Sequence, residues 1–380
     1  MLSYVVRIAW GNTFQNFVRT LAGLGGITFS ILLVFLQLGF LNATKKEVTL
    51  LFEFFEFDAV IVSEDYQLVG TAGNFDRIRL FQAQVDPNVK EIYNLNVRSG
   101  EWVNPVNEIS SSALVLGLDD KMDFIENDHL RDGLRAIVDG QSILLDEYSH
   151  SDYGKRETGV SGFLNEIEVN VMGTFQLGLF FYAEGAVATS NGNFNRMTGV
   201  PSNEVTMGLL DLKDDDEEEV EETVERLREA LPDDVVVMSR EELFDQEQGY
   251  FISVKPIGIM FRSAVFVAFA VGLVILFQVL STELRNRQAE FSTMKAMGFS
   301  PSFIYGIGIS QNLILIIFSF GPAWLISLGI FYTIFTLSKL PMEMSLELTI
   351  TVFVLTTAMS LIAGMLALRR VRQADPAELF

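Results

Sequence analysis

Three places in this sequence carry residue types that can do chemistry. Asp214-Asp215-Asp216-Glu217-Glu218-Glu219 is a run of carboxylates with enough charge to attract a divalent cation. The same run opens a helical pattern, where acids are favoured by the helix dipole and stay solvated, and that role needs no ligand. His129 and His150, the only histidines, have Asp128 and Asp146 nearby but lack the paired helical spacing that brings two imidazoles to one metal. Ser149-His150-Ser151-Asp152 holds the letters of a nucleophilic triad without the strand-turn-helix elbow that exposes such a serine. The chain has no cysteine, which removes disulfides, thiolate metal sites and cysteine nucleophiles. It also has no G-x-x-x-x-G-K-[ST] segment to cradle the phosphates of ATP. Catalysis within the chain, a bound metal and a resident cofactor are all unexpected.

A docking element is the other chemical candidate. Leu284 to Gly298 reads as a helix on which Phe291, Met294 and Met297 share one face, with Glu290 and Lys295 beside it. Gly298 supplies a stop, and Ser300-Pro301 caps and starts the next helix. Such a helix suits contact with a cytosolic partner, and it equally suits an ordinary turn that covers the end of a helix bundle.

The elements around it are set by hydrophobicity. Of 380 residues 49% are hydrophobic, and the mean hydropathy is +0.31, too high for an ordinary soluble protein. Four stretches lack charge for long enough to cross a bilayer: Arg19 to Lys45, Arg262 to Glu283, Lys295 to Lys339 and Glu347 to Arg369. Gln37, Gln278, Gln311 and Asn312 are polar residues inside them, and each can serve helix packing. The chain carries a net charge of -22, which argues against a nucleic-acid surface. That charge is segregated, with -25 between Lys45 and Arg262 and +4 over the segments ahead of the first stretch, between the second and third, and after the fourth. Basic segments stay in the cytoplasm, so both termini are expected inside and the acidic region outside. A fifth span would export Arg369-Arg370-Val371-Arg372, so the long third stretch is one helix with Gly321-Pro322 as its kink.

The expected organisation is an amphipathic cytoplasmic helix over 1–19, with Val6, Trp10, Phe14 and Phe17 as its apolar stripe, and spans over 20–44, 257–282, 301–338 and 348–368. The cytoplasmic docking segment covers 283–300, a short outer loop 339–347 and a cytoplasmic tail 369–380. Residues 45–256 form the outer domain. Its two ends look alike. Asp58 to Val62, a helix over Phe75 to Gln84 with Ile78, Phe81 and Gln82 on one face, and an extended run from Glu91 mirror Val205 to Leu212, a helix over Glu217 to Leu231 with Val220, Val224 and Leu227 on one stripe, and Val235 to Met238. Two strand-helix-strand halves predict a ferredoxin-like split α+β sandwich. Its parts are 45–117 and 202–250, and the segment 118–201, with Val169 to Phe175 alternating in period two, is a β-rich insert.

These features resemble the MacB/FtsX-type (type VII) ABC transporter permeases. The resemblance rests on the Glu290-Phe291-Ser292-Thr293-Met294-Lys295-Ala296-Met297-Gly298 helix and the terminal Ala374-Asp375-Pro376-Ala377-Glu378-Leu379-Phe380. Phe75-Asp76-Arg77-Ile78-Arg79-Leu80, Leu340-Pro341-Met342-Glu343-Met344 and Arg369-Arg370-Val371-Arg372 are similar to the cyanobacterial DevC-type subunits, which lack a fused ATPase. The resemblance implies a porter subdomain for the split sandwich and a sabre subdomain for the insert. It implies an inner-membrane permease that dimerises, binds a separate cytosolic ABC ATPase holding ATP and Mg, and docks it through Glu290 to Gly298. It further implies an HlyD-like periplasmic adaptor, a TolC-like outer-membrane protein and export of a glycolipid or other amphipathic substrate. A lipoprotein-releasing or cell-wall-hydrolase-regulating permease of the same fold is an alternative, as is a membrane receptor, although no segment is long enough for a cytoplasmic output domain.

Overall fold

The computed structural model describes residues 7, 9–11, 13, 15, 17–104, 106–138, 140–178, 182–286 and 288–372. Val6, Phe14 and the Ala374 to Phe380 tail lie outside these residues. Two compact units emerge, Met1–Ala43 with Gly258–Phe380, and Thr44–Ile257.

Among the described residues, four helices are long and apolar enough to cross a membrane. They are Phe17–Thr49, Pro256–Asn286, Pro301–Ser338 and Leu346–Arg372, here called the first to fourth span helices. Small residues let them approach closely. A Cβ at Gly39 would overlap the Phe331 ring, one at Gly26 would lie 3.0 Å from Val279, and one at Gly272 would lie 2.8 Å from both Ser30 and Met359. Phe35, Phe320 and Phe353 form a chain of rings with centroids 5.6 and 5.1 Å apart.

The second unit contains the split sandwich. Its first half is β1 (Ala59–Ser63), β2 (Phe75–Asp76), α1 (Ile78–Ala83) and β3 (Val89–Val103). The middle is β4 (Ser110–Leu118), α2 (Asp128–Leu134), β5 (Ser142–Asp146), β6 (Ser161–Leu164), β7 (Ile167–Phe175), β8 (Gly185–Ser190) and α3 (Asn191–Thr198). The second half is β9 (Glu204–Val205), β10 (Met207–Leu212), α4 (Glu217–Ala230) and β11 (Val235–Ser239), followed by α5 (Arg240–Val254). Strands run β11-β1-β10-β3 with every neighbouring pair antiparallel, which is the order two interleaved βαβ halves must produce. Alternation along β1 sends Ala59 and Ile61 to a core under α1 and α4, and Val60 and Val62 to a second core that includes Phe52, Leu95 and Leu243.

The insert differs from a simple appendage. β3 is 15 residues long and passes from the split sheet into a ring ordered β3-β4-β8-β5-β7-β6, closed where Trp102 and Val103 pair with Leu164 and Phe163. The ring therefore draws on residues ahead of 118, because one uninterrupted strand serves both the open part and the ring of a single nine-stranded sheet. Trp102 is fully buried, stacks on Tyr153 at 5.7 Å and donates its indole N–H to the Tyr153 carbonyl at 3.2 Å. Two local expectations change. Phe75-Asp76 is a strand paired with Val205 and Glu204, so the helix begins at Ile78. On that helix Leu80 and Ala83 are buried, while Ile78 and Phe81 are exposed.

The acidic run opens α4 as its composition requires, with Glu217, Glu218 and Glu219 in the first turn, where their charges favour the dipole. Among the described residues no cluster of three or more His, Asp or Glu side chains is arranged to hold a metal.

Candidate functional site

The candidate docking segment forms a helix over Gln288–Ala296. Gly298 adopts φ +89°, Met297 donates its N–H to the Thr293 carbonyl at 3.0 Å, and Phe299 donates to Met294 at 3.1 Å. The first is the last i→i−4 bond of the helix and the second is the 6→1 bond of a Schellman-type stop, whose left-handed backbone at Gly298 favours glycine. Ser300 then caps the third span helix by accepting from the Phe303 N–H at 3.4 Å, with Pro301 in the first turn. The connection is therefore defined at both ends by residues whose backbone preferences are strong.

Glu290, Thr293, Ala296, Met297 and Gly298 are exposed, and Met294 is half-buried. Met297 leaves 64% of its surface accessible, a flexible apolar side chain at the end of a short helix. The side chains of Phe291 and Lys295 fall outside the described residues, so the three-residue apolar face is seen here only at Met294 and Met297.

Gly321 and Pro322 lie within one continuous helix from Pro301 to Ser338. Proline removes the N–H that the Phe318 carbonyl would accept. One turn earlier the first span helix braces this point. Thr28 donates to the Ser319 carbonyl at 3.3 Å, and Ser319 donates its own hydroxyl to the Leu24 carbonyl at 3.3 Å. Gln311 and Asn312 are both buried, and Gly364 makes room for the Asn312 amide.

The outer domain holds a polar centre that the sequence reading missed. Glu247 on α5 is completely buried. Its Oε1 accepts the Val69 N–H at 2.7 Å and the Tyr66 hydroxyl, and its Oε2 accepts the Tyr182 hydroxyl at 2.6 Å. Burial raises the carboxyl to about 7, against the opposing pull of the hydrogen bonds from Tyr182, Tyr66 and Val69. The same burial, reinforced by the charge of Glu247, raises both tyrosines well above their ordinary value. The detectable signal was Leu243, Glu247 and Phe251 at intervals of four, an apolar stripe interrupted by one acid.

Asp146 is a useful contrast. It is equally buried, and burial raises its carboxyl, but it accepts backbone N–H groups of Leu177, Gly178 and Tyr148 at 2.9, 2.8 and 3.0 Å. It therefore pins a loop. His150 sits 3.1 Å from Asp152 as a half-exposed pair.

Residues 262–376 match the model of the FtsX-like permease C-terminal family. The match takes in most of the second span helix, the third and fourth span helices and the whole candidate docking segment. No curated protein matches the chain significantly in sequence. Among solved structures, the chain is similar to the extracellular domain of the noncanonical ABC-type transporter YknZ from Gram-positive bacteria, at 13% identity and a TM-score of 0.34 over 48% of this chain and 98% of that one. It is also similar to the periplasmic region of MacB from Actinobacillus actinomycetemcomitans, at 13% identity and a TM-score of 0.35 over 52% of this chain and 95% of that one.

Proposed function

We propose that the chain is the permease, or mechanotransmission, subunit of an ABC exporter. The observation that carries this reading is the FtsX-like match over residues 262–376 in a chain whose first and second span helices flank a 214-residue outer unit, Thr44–Ile257. A separate cytosolic ATPase binds ATP and Mg and docks on the helix ending at Gly298. Two permease copies in the inner membrane, with termini in the cytoplasm, transmit its closure to their outer domains. A HlyD-like adaptor and a TolC-like outer-membrane protein complete the tripartite DevC-type assembly, and the cargo is a glycolipid or another amphipathic molecule.

The chemistry of docking follows from the connecting helix. An ATPase groove that buries the exposed Met297 gains apolar area without requiring the permease to repack, while Glu290 fixes orientation by charge. Replacing Met297 by Asp buries an uncompensated carboxylate at the contact, a penalty of several kcal/mol. A micromolar interface is worth about 8 kcal/mol, so most of it is lost. The test is co-purification of Met297→Asp, and of the double variant with Met294→Asp, with the ATPase expressed from the same genome. Recruitment should collapse while the circular dichroism of the permease is unchanged. Undiminished recruitment by both variants would show that this helix only covers the bundle end.

A further inference from the structure

The Glu247 centre contains a hydroxyl with two acceptors. Tyr182 Oη lies 2.6 Å from Glu247 Oε2 and 3.3 Å from the carbonyl oxygen of Val48. A phenol has one proton and can donate to only one of them at a time. When Glu247 is ionised, its carboxylate is the stronger acceptor and takes that proton. When Glu247 carries a proton on Oε2, the carboxyl donates to Tyr182 Oη, and the tyrosine's own proton turns to Val48. Oε1 keeps its bonds from Val69 and Tyr66 in both states.

We propose that Glu247 and Tyr182 form a proton-operated latch, in which protonation of Glu247 redirects the Tyr182 hydroxyl to the Val48 carbonyl and fastens the last turn of the first span helix to α5. The proton comes from water. No other bond is made or broken, because the Tyr182 O–H only rotates about its C–O bond.

Three further observations support the latch. Val48 belongs to the final turn of the Phe17–Thr49 helix, where the α-helix gives way to the 3-10 turn Leu50–Phe54 and carbonyls lose their regular i+4 donors. Val48, Leu68 and Phe251 pack around the centre with Tyr182 and Tyr250, so water does not compete for the bonds. The carboxyl is poised near neutrality by its burial, so the switch falls within the range a bacterial envelope meets. The titratable groups around Glu247 are Tyr66 after β1, Tyr182 between β7 and β8 of the insert, and Glu47 on the first span helix, whose charge acts on Tyr182. On α5 there is Tyr250, packed on the same cluster, and just past its end Lys255, 6.0 Å from the Tyr250 ring centroid.

The test is hydrogen exchange over residues 44–54 of the full chain in lipid nanodiscs, at pH 5.5 and 8.5, corrected for intrinsic rates. The wild type should be about fivefold more protected at the acid pH, the worth of one net hydrogen bond. In Glu247→Gln the side-chain amide donates permanently to Tyr182, so acid-level protection should persist at both pH values. In Tyr182→Phe the relay is cut, and protection should sit at the alkaline level at both. A wild type without the step overturns the latch, and so does a step that survives in either variant. Tyr182→Phe removes a single oxygen, so the test stands even where Glu247→Gln fails to fold.

Discussion

Neutralising Glu247 should change how the stability of the outer domain depends on pH. The carboxyl sits at about 7 in the folded chain and near 4.5 when exposed. Between those values the folded state holds a proton that the unfolded state has released, so this group's contribution is fully present below about pH 4.5 and is lost as pH rises through about 7. The gap of about 2.5 in pKa corresponds to on the order of 3 kcal/mol. Glu247→Gln keeps the shape and removes the titration, so the stability difference between variant and wild type isolates this carboxyl from the self-repulsion of an acidic surface. Trp102 makes the measurement local, because it is fully buried in the outer domain and the other two tryptophans, Trp10 and Trp324, belong to the membrane unit. With Trp10 and Trp324 replaced by Phe, urea unfolding followed by Trp102 fluorescence at a series of pH values from 4.5 to 8 gives the difference curve. It should shift by on the order of 3 kcal/mol toward the Gln variant as pH rises. A flat difference across that range would refute the assignment of the proton to Glu247.

Gly162→Ala should destabilise the ring by roughly 1–3 kcal/mol, because the added methyl would overlap the Trp102 indole, and thermal unfolding monitored at Trp102 should register it. Ser239→Ala removes a capping box in which Ser239 Oγ accepts the Glu242 N–H and Glu242 accepts the Ser239 N–H, so about 1 kcal/mol should be lost from the same transition. Gly39→Leu should lower the melting temperature of the detergent-solubilised chain by forcing the Phe331 ring out of its place, whereas Gly329→Leu, with open space around it, should not. A reporter active only in the cytoplasm, fused at the carboxyl terminus, should give signal, and a silent but stably expressed fusion would contradict the charge partition.

The parts of the fold that were legible in sequence are those where one local rule dominates. Uncharged runs marked the four span helices, and Gly298 with Ser300-Pro301 marked the turn between the connecting helix and the third span, because chain stops and starts are written in single residues. Val220, Val224 and Leu227 lay on one stripe, and the structure seats Val224 and Leu227 in the core with Val220 half-buried against it. Ring closure was not legible. The pairing of Trp102 with Leu164 is a contact between distant strands, and nothing in either segment specifies its partner. The stripe of Ile78 and Phe81 misled for a related reason, since on a short helix the buried face is chosen by the sheet it meets. Glu247 was hidden among many acids of an acidic segment, and only its position between Leu243 and Phe251 set it apart.

The sharing of β3 between the open part of the sheet and its ring also orders events in time. β1 takes its partners, β10 and β11, from chain made about 150 and about 175 residues later, after the entire ring has emerged. At roughly 5–20 residues per second that is a wait on the order of 10–30 s. Throughout it, a strand destined to be buried along its full length has neither neighbour, a state in which exposed edges pair with the wrong chains. The ring can close during that wait, since all six of its strands precede β10. Assembly is thus nested from the inside outward. A slow step in the ring, such as docking Trp102, would prolong the vulnerable period of a strand in the open part of the sheet, so defects there would surface as aggregation of newly made chains before any loss of folded stability.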